Sequence, residues 1–392
     1  MSSFPEKVGI KGTVPQGRNG CNSRRRREIV YVGRRDMFYD NSVDSRRRIE
    51  TPMGTVRRKQ LTIRTRIVLS VVTMLLSTGL AHAQTCLTAG DMDEPTRAAL
   101  VNTAKHYFDM VARGDSASMR QNSIASVASD FSGIETAVKD NQANFSGVQA
   151  TPRPPFLLKA EGTAPFERAE FLCGVFGKSG QTSDSAVFVI PNLPPGNYAV
   201  TILDVPAKQP DTVSFVLQQA GKDWKIGGFY VKETQIAGHD AAWFADHARA
   251  FKSKGQNRNA WLYFIEARDL AVPLPFMYTQ LTDKLADESE TVKPSDLPTG
   301  GSTVELAAGG KTQRLTALFP LAVGQDLDLV VKYQCADVSN SAQTFKDNTA
   351  VISALVGKFP EFRDAFDGVV ARAVEPTTGR DYGSLLPMKD IK

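Results

Sequence analysis

An uncharged apolar segment, residues 67–81, constrains what this chain can fold into more than any other feature. Five basic residues between positions 57 and 66 precede it, and Ala81-His82-Ala83 closes it with the small-x-small pattern that signal peptidase accepts. The segment is short for a spanning helix, which needs about 20 apolar residues. The order of basic residues, apolar run and small residues therefore predicts a signal peptide at 53–83, with cleavage after Ala83.

Residues 1–52 lie in front of this signal. Signal peptides normally occupy about the first 15–30 residues of a chain, so we interpret Met53 as the true start. Residues 1–52 are then a disordered basic leader that results from a misassigned start. The alternative is a signal anchor that leaves a long basic arm in the cytoplasm.

The charge of the chain is concentrated in this leader. The whole sequence has 47 Lys and Arg against 42 Asp and Glu, a net charge of +5. Residues 1–68 contain 17 basic and 6 acidic residues, so the remaining 324 residues contain 30 basic and 36 acidic ones. The exported chain 84–392 is therefore mildly acidic, and we expect no nucleic-acid partner. It contains no second apolar run of spanning length, so we expect no membrane span after signal cleavage.

Three cysteines remain after cleavage, namely Cys86, Cys173 and Cys335. Export permits disulfides, but an odd number leaves at least one thiol unpaired. Cys173 lies in an apolar strand-like run and is interpreted as a buried residue. The pairing among the three stays open at this stage.

The exported chain has the pattern of an α+β protein. Helical periodicity runs from about 92 to 138, where Asp93-Glu94-Pro95 opens the first helix and Gly114 closes it. Short runs of β-branched and aromatic residues follow, separated by Gly, Pro, Asn and Asp. The predicted strands are 156–160, 168–176, 185–190, 198–203, 212–218 and 224–232. Helices packed on a bent antiparallel sheet are the expected arrangement.

Residues 84–234 resemble the nuclear transport factor 2-like superfamily. The resemblance is carried by the helices-then-strands order and by the final strand, where Gly221-x-x-Trp224-Lys225-Ile226 follows a Val213-x-Phe215-Val216-Leu217 strand. It implies a cone of bent sheet wrapped on helices. The superfamily includes enzymes, ligand-binding pockets and interaction modules, so this fold leaves the function open.

Enzymes of that superfamily often place an Asp/His pair deep in the cone. Here the segment has one histidine, His106, on the first helix without an evident catalytic acid, so we predict no catalytic residue. A ligand-binding pocket lined by Phe108, Phe171, Trp224 and Tyr230 is one interpretation of the apolar residues, and a simple core is the other. The rival hypothesis is an exported enzyme with Asp109 or Asp204 in the cone mouth or at a domain interface.

Residues 235–296 resemble a single tetratricopeptide-repeat hairpin followed by a linker. The matching positions are Ala248, Phe251, Gly255, Ala260, Phe264 and Ala267. Small residues there let two helices approach closely, while the aromatic residues fill the space between turns. The register places Arg249 and Lys252 on the inner face, where they are predicted to receive a carboxylate of a partner. His239 and His247 lack a third ligand nearby, so no metal site is expected.

Residues 297–392 are predicted to form a small α+β domain of no recognised family, with the order β-β-β-α-β-β. Its helix is predicted at 341–358, with an apolar stripe formed by Phe345, Ala350, Val351, Ala354, Leu355 and Phe359.

The sequence as a whole predicts an exported, non-catalytic binding module in the cell envelope, either periplasmic or secreted. The expected partner is an envelope or secreted protein or a small apolar ligand, and no cofactor is expected.

Overall fold

The computed structural model describes residues 83–178 and 180–392. The predicted leader at 1–52, and all of the predicted signal peptide except Ala83, lie outside the described residues. Within the described ranges, no helix is both long and apolar enough to cross a bilayer.

The first part of the chain forms four helices and then the strands of two sheets. In chain order these elements are β1 (Ala83–Leu87), α1 (Glu94–Arg113), α2 (Ser116–Gln121), α3 (Ala125–Ser129), α4 (Ser132–Phe145), β2 (Thr151–Pro152), β3 (Phe156–Glu161), β4 (Phe166–Gly177), β5 (Gly180–Leu193), β6 (Gly196–Val205), β7 (Asp211–Ala220) and β8 (Asp223–Glu233).

The second part begins with a helical hairpin and ends with a third sheet. Its elements are β9 (Gln235–Ile236), β10 (His239–Asp240), α5 (Ala241–Ser253), α6 (Asn257–Ala271), β11 (Met277–Thr279), α7 (Gln280–Glu290), β12 (Val304–Ala308), β13 (Lys311–Val323), β14 (Asp326–Gln334), α8 (Ser341–Lys358), a 3-10 helix at Pro360–Asp364, β15 (Gly368–Val374), β16 (Asp381–Pro387) and a 3-10 helix at Met388–Asp390. The predicted α+β class is confirmed.

The large sheet is antiparallel, with the order β1-β3-β6-β7-β8, and β2 pairs with β6. Alternation along a strand sends neighbouring side chains to opposite faces. On β7, Val213, Phe215 and Leu217 belong to the core beneath the helices, whereas the buried Ser214 is outside that core. Helix α1 begins and ends where the sequence predicts, because the Asp93 carboxylate caps the Thr96 N–H and Gly114 adopts a left-handed conformation.

The small sheet, with the order β11-β5-β4, contributes to a second core together with the opposite face of the large sheet. Phe171 and Phe188 of the small sheet and Val200 and Ile202 of the large sheet belong to this core. A disulfide joins Cys86 of β1 to Cys173 of β4. Cys173 is therefore both buried and paired, and Cys335 is the free thiol among the described residues.

The C-terminal sheet has the order β12-β13-β14-β15-β16 and is antiparallel except for the β14–β15 pair, whose parallel strands are connected through α8. Hairpin residues Phe244 and Phe264, sheet residues Leu329 and Val331, and α8 residues such as Val351 belong to one apolar cluster. The helical hairpin and the C-terminal sheet thus share a core.

The predicted apolar stripe of α8 is wrong at one position. Phe345 is exposed, and the buried face passes instead through Thr344 and Asn348. Asn348 accepts a hydrogen bond from the Tyr333 hydroxyl at 2.7 Å and donates to the Ser384 hydroxyl at 2.9 Å. Polar side chains can be buried when they are hydrogen-bonded. The spacing of apolar residues alone therefore predicts the wrong buried residue, Phe345 in place of Thr344, at the start of this helix.

Candidate functional site

The four residues predicted to line a pocket lie on two sides of the large sheet. Phe108 is in the core beneath the helices, and the half-buried Trp224 packs against that core. Phe171 and Tyr230 are in the core between the two sheets. The division follows from strand alternation, since Phe229 and Tyr230 are neighbours on β8 and point to opposite faces. The structure therefore does not bring these four side chains into one cavity.

Three polar side chains on α1, β7 and β8 are buried next to these apolar residues. The Tyr107 hydroxyl of α1 donates to the Trp224 carbonyl at 2.6 Å. Burial, with a smaller contribution from nearby Asp223, raises the pKa of Tyr107 to about 12. The Tyr230 hydroxyl and the Ser214 hydroxyl are buried without a hydrogen-bond partner in the described part of the chain, and burial raises the pKa of Tyr230.

Tyr230 also borders a shallow recess. Its other lining residues are Val231, Lys232, Val272, Pro273, Leu274 and Pro275. The volume of this recess is about 10 Å³. That volume accepts about one water molecule, whereas organic ligands occupy pockets of about 300–1,000 Å³. The recess is therefore too small for the predicted apolar ligand.

The titratable groups named by the enzyme hypothesis do not converge. His106 and Asp109 are exposed on α1. Asp204 accepts hydrogen bonds from the Arg153 guanidinium, at 3.0 Å from Nε and 2.6 Å from Nη2. A bidentate pair of this kind positions a carboxylate as a structural ion-pair partner.

The two cations predicted to meet a partner are already engaged by the chain itself. Arg249 donates to the Glu288 carboxylate of α7 at 3.1 and 3.0 Å. Lys252 donates to the Thr291 hydroxyl at 2.9 Å. The predicted carboxylate is therefore supplied by the chain's own α7. Whether Arg249 and Lys252 also meet a partner stays a prediction.

The two histidines of the hairpin stack on one tryptophan. The ring centroids of His239 and His247 lie 3.7 and 3.8 Å from the ring centroid of Trp243, so the three rings form an imidazole–indole–imidazole stack. No cluster of three metal-ligating side chains occurs within 83–178 and 180–392.

An exposed apolar surface on the β4–β5 hairpin and the start of α7 is not predicted from the sequence. We call it the hairpin-tip surface and define it as Leu172, Val175 and Phe176 of β4 with Leu281 of α7. Their exposed fractions are 57%, 65%, 36% and 51%, and these are four of the six large exposed apolar side chains of the described residues. The other two, Phe345 and Leu385, belong to the C-terminal part of the chain.

A bulge in the β4–β5 hairpin coincides with the exposure of two neighbouring side chains. The register of the two strands shifts between Gly174 and Phe176. Gly174 has φ +86°, and a Cβ there would lie 2.0 Å from the Asp184 carbonyl oxygen, so only glycine fits. In a regular strand Val175 and Phe176 would face opposite sides, whereas beyond the bulge both are exposed.

Helix α7 is attached to this hairpin by two hydrogen bonds. The Gln181 amide donates to the Asp283 carboxylate at 2.7 Å, and the Gln280 amide donates to the Gln181 carbonyl at 3.0 Å. Gln181 pairs with Phe176 across the hairpin, so Leu281 begins α7 beside the tip. Burial is the main cause that raises the pKa of Asp283.

The apolar character continues across the outer face of the small sheet. Leu172 pairs with Val187, and Val187 pairs with Tyr278 of β11. Val187 and Tyr278 are half-buried. Residues 174–183 carry one charged side chain, Lys178. The sequence signal for this surface was the Val175-Phe176 dipeptide between Gly174 and Gly177, where a half-buried strand would alternate.

Comparison with known proteins adds no relative. No protein-family model, no curated protein and no solved structure matches this chain.

Proposed function

We propose that this chain is an exported, non-catalytic module that binds another protein through the hairpin-tip surface. The exposure of Leu172, Val175 and Phe176 on β4 together with Leu281 of α7 carries the proposal. Contiguous exposed apolar side chains on a folded protein commonly mark an interaction site. Small-molecule sites are concave and bury most of their ligand, whereas these four side chains are exposed, which favours a protein partner.

Three observations support export to the periplasm or the cell exterior. The segment 53–83 has the order of a signal peptide, and disulfides such as Cys86–Cys173 form in oxidising compartments. Cleavage after Ala83 would also keep the pairing of Gln84 to Leu87 with β3. The expected partner is therefore an envelope or secreted protein with a complementary apolar surface.

Two resemblances belong to the same proposal. Residues 84–234 would be a nuclear transport factor 2-like domain, supported by the packing of α1 and α4 beneath an antiparallel sheet. Residues 235–296 would contain a tetratricopeptide-like hairpin, supported by the burial of Phe244, Ala248 and Phe264 between α5 and α6. No observation among the described residues favours the rival enzyme with Asp109 or Asp204.

The test is a crosslinking capture from envelope extract with the exported chain. A Val175→Ser/Phe176→Ser/Leu281→Ser variant should recover the bound proteins about tenfold less than the unmodified chain, because the loss of about 1.4 kcal/mol or more of apolar contact weakens binding tenfold. The matched control is Phe345→Ser/Leu385→Ser, which removes the other exposed apolar side chains and should leave capture unchanged.

Two outcomes would overturn the proposal. One is equal capture by the tip variant and the control variant. The other is flotation with lipid vesicles that depends on the tip residues, which would assign this surface to a bilayer.

A further inference from the structure

Gln84 has an unusual position at the beginning of β1. Its backbone pairs with Ala160 of β3, and its side-chain Oε1 accepts a hydrogen bond from the Glu170 N–H at 2.6 Å. Glu170 lies on β4, the edge strand of the small sheet, so this amide hydrogen is directed to the Gln84 side chain. Two residues later, the Cys86–Cys173 disulfide holds the same two strands together.

We propose that Gln84 is a modification site, at which the new amino-terminal glutamine cyclises to pyroglutamate after export. This inference rests on the proposed function, because cleavage after Ala83 is what frees the α-amine of Gln84. The proposal concerns a covalent step within one residue and needs no cofactor or oxidant.

The step balances within the residue itself. The α-amine nitrogen attacks Cδ of the side-chain amide, and a new N–Cδ bond forms. The Cδ–Nε2 bond breaks, the amine proton passes to the departing nitrogen, and ammonia leaves. Oε1 stays on Cδ as the lactam carbonyl oxygen, so no electron is gained or lost.

The Glu170 N–H is already bonded to the oxygen on which charge develops in this step. Negative charge develops on Oε1 as the amine adds to Cδ, and a backbone donor already bonded to that oxygen stabilises the charge. The lactam keeps the same oxygen as a hydrogen-bond acceptor. Cyclisation also removes the positive charge of the amino terminus at a half-buried position of the sheet.

The experiment is mass spectrometry of the amino-terminal peptide of the full chain after export from a bacterial host. The expected peptide begins at Gln84 and is lighter by about 17 Da, the mass of the ammonia lost. In a pulse–chase series, the folded protein should cyclise about tenfold faster than a synthetic peptide of residues 84–92, since about 1.4 kcal/mol of charge stabilisation gives that factor.

A Glu170→Pro variant removes the donor at an edge position that tolerates proline, and it should cyclise at the rate of the peptide. Retention of the Cys86–Cys173 disulfide, read from the same spectra, shows whether the variant has folded. If it has not, the comparison of the unmodified chain with the peptide decides alone.

The remaining outcomes separate this inference from the proposed function. A peptide that begins at Gln84 without the mass loss overturns cyclisation and leaves export standing. A different first residue overturns cleavage after Ala83 and with it the inference. Cyclisation that is no faster than in the peptide overturns the role of the folded site.

Discussion

Residues 84–234 and residues 235–392 differ in the number of hydrophobic cores that their apolar side chains form. The first region, which the sequence marks as one domain, has separate cores on the two faces of its large sheet. The second region, which the sequence divides after residue 296, has one core that runs through both parts, and only its Leu274 and Met277, beside β11, belong to the core between the two sheets of the first region. The comparison teaches that domain boundaries drawn from the sequence do not determine the number of hydrophobic cores. One sheet can support two cores because it has two faces, whereas a short helical hairpin cannot bury its apolar face alone and shares the core of its neighbour.

Specific contacts hold the second region together. The Tyr263 hydroxyl of α6 donates to the Ala365 carbonyl at 2.6 Å, and the Asn259 amide donates to the Glu361 carbonyl at 2.6 Å. Arg258 of the same helix pairs with Asp296 and Glu361, and the hydrogen bond from Arg258 holds the pKa of Asp296 below its usual value. We therefore expect this helix to unfold together with the segments that supply its partners.

The largest expected effect tests whether the second region has one core. Phe264 of α6 is fully buried in it. Phe264→Ala should lower the free energy of unfolding by about 3–5 kcal/mol. Hydrogen exchange should then show that α6, β14 and α8 lose protection together, while β6 and β7 keep theirs. Loss of protection in the hairpin alone would contradict a shared core, and Phe345→Ala on the exposed face of α8 is the control.

The next effect concerns the first region alone. The Cys86–Cys173 bridge spans 87 residues of sequence. A Cys86→Ala/Cys173→Ala variant should lose about 3–4 kcal/mol of stability, because the unfolded chain regains the freedom of that loop. Denaturant unfolding followed by hydrogen exchange should place the loss in β1, β3 and β4. Cys335→Ala is the matched control, and an equal loss in β14 and β15 would argue that the two regions unfold as one.

A pH-dependent effect distinguishes the C-terminal sheet. Asp328 of β14 is 2% exposed, and burial, with Asp326 and Asp367 nearby, raises its pKa from 3.8 to about 6. A raised carboxyl pKa means that the native state favours the protonated form, so its stability falls as pH rises through about 6.

Asp328→Asn should remove this dependence and stabilise the C-terminal sheet by about 2 kcal/mol at pH 7.5, with little change at pH 4. Thermal unfolding across pH 4–8 measures the effect. Asp390→Asn, an exposed control, should follow the unmodified protein. If Asp328→Asn has the same pH dependence of thermal unfolding as the unmodified protein, the burial of Asp328 does not cause that dependence.

The smallest effect concerns the link between α5 and α7. Arg249→Ala removes the bidentate contact with Glu288. Because the pair is partly exposed, the loss should be under about 1 kcal/mol and should shrink further at high salt. Thermal unfolding at two salt concentrations gives the measurement, with Lys105→Ala on α1 as the reference. A loss above 2 kcal/mol would mean that α7 is essential to the second region and more than a cover for the hairpin.

Much of the secondary structure was predictable, since local signals are strong in this chain. The α8 helix at Ser341–Lys358 has the predicted bounds, and all six strands predicted between 156 and 232 occur with longer ends. Differences arise where a tertiary partner decides. The helical periodicity between about 92 and 138 is divided among four separate helices, and Met277 to Thr279, which directly precede α7, form strand β11 because they pair with β5.

The candidate site was far less predictable. Phe108, Phe171, Trp224 and Tyr230 were grouped by residue type, although their spacing gives no information on which face of which sheet they reach. The hairpin-tip surface depends on the bulge at Gly174, where the Asp184 carbonyl approaches the backbone too closely for any side chain. Asp184 lies ten residues further along the chain, so the sequence around Gly174 does not predict this contact.

The sequence by itself determined the α+β class, the alternation within each strand and the caps of α1, because these depend on neighbours within a few residues. Tertiary structure decided which strands form each sheet, the Cys86–Cys173 pairing, the merging of hairpin and C-terminal sheet into one core, and the capture of Arg249 by Glu288. These depend on groups that are distant in the chain, and they are selected by the burial of complementary faces, which operates only once the elements have assembled.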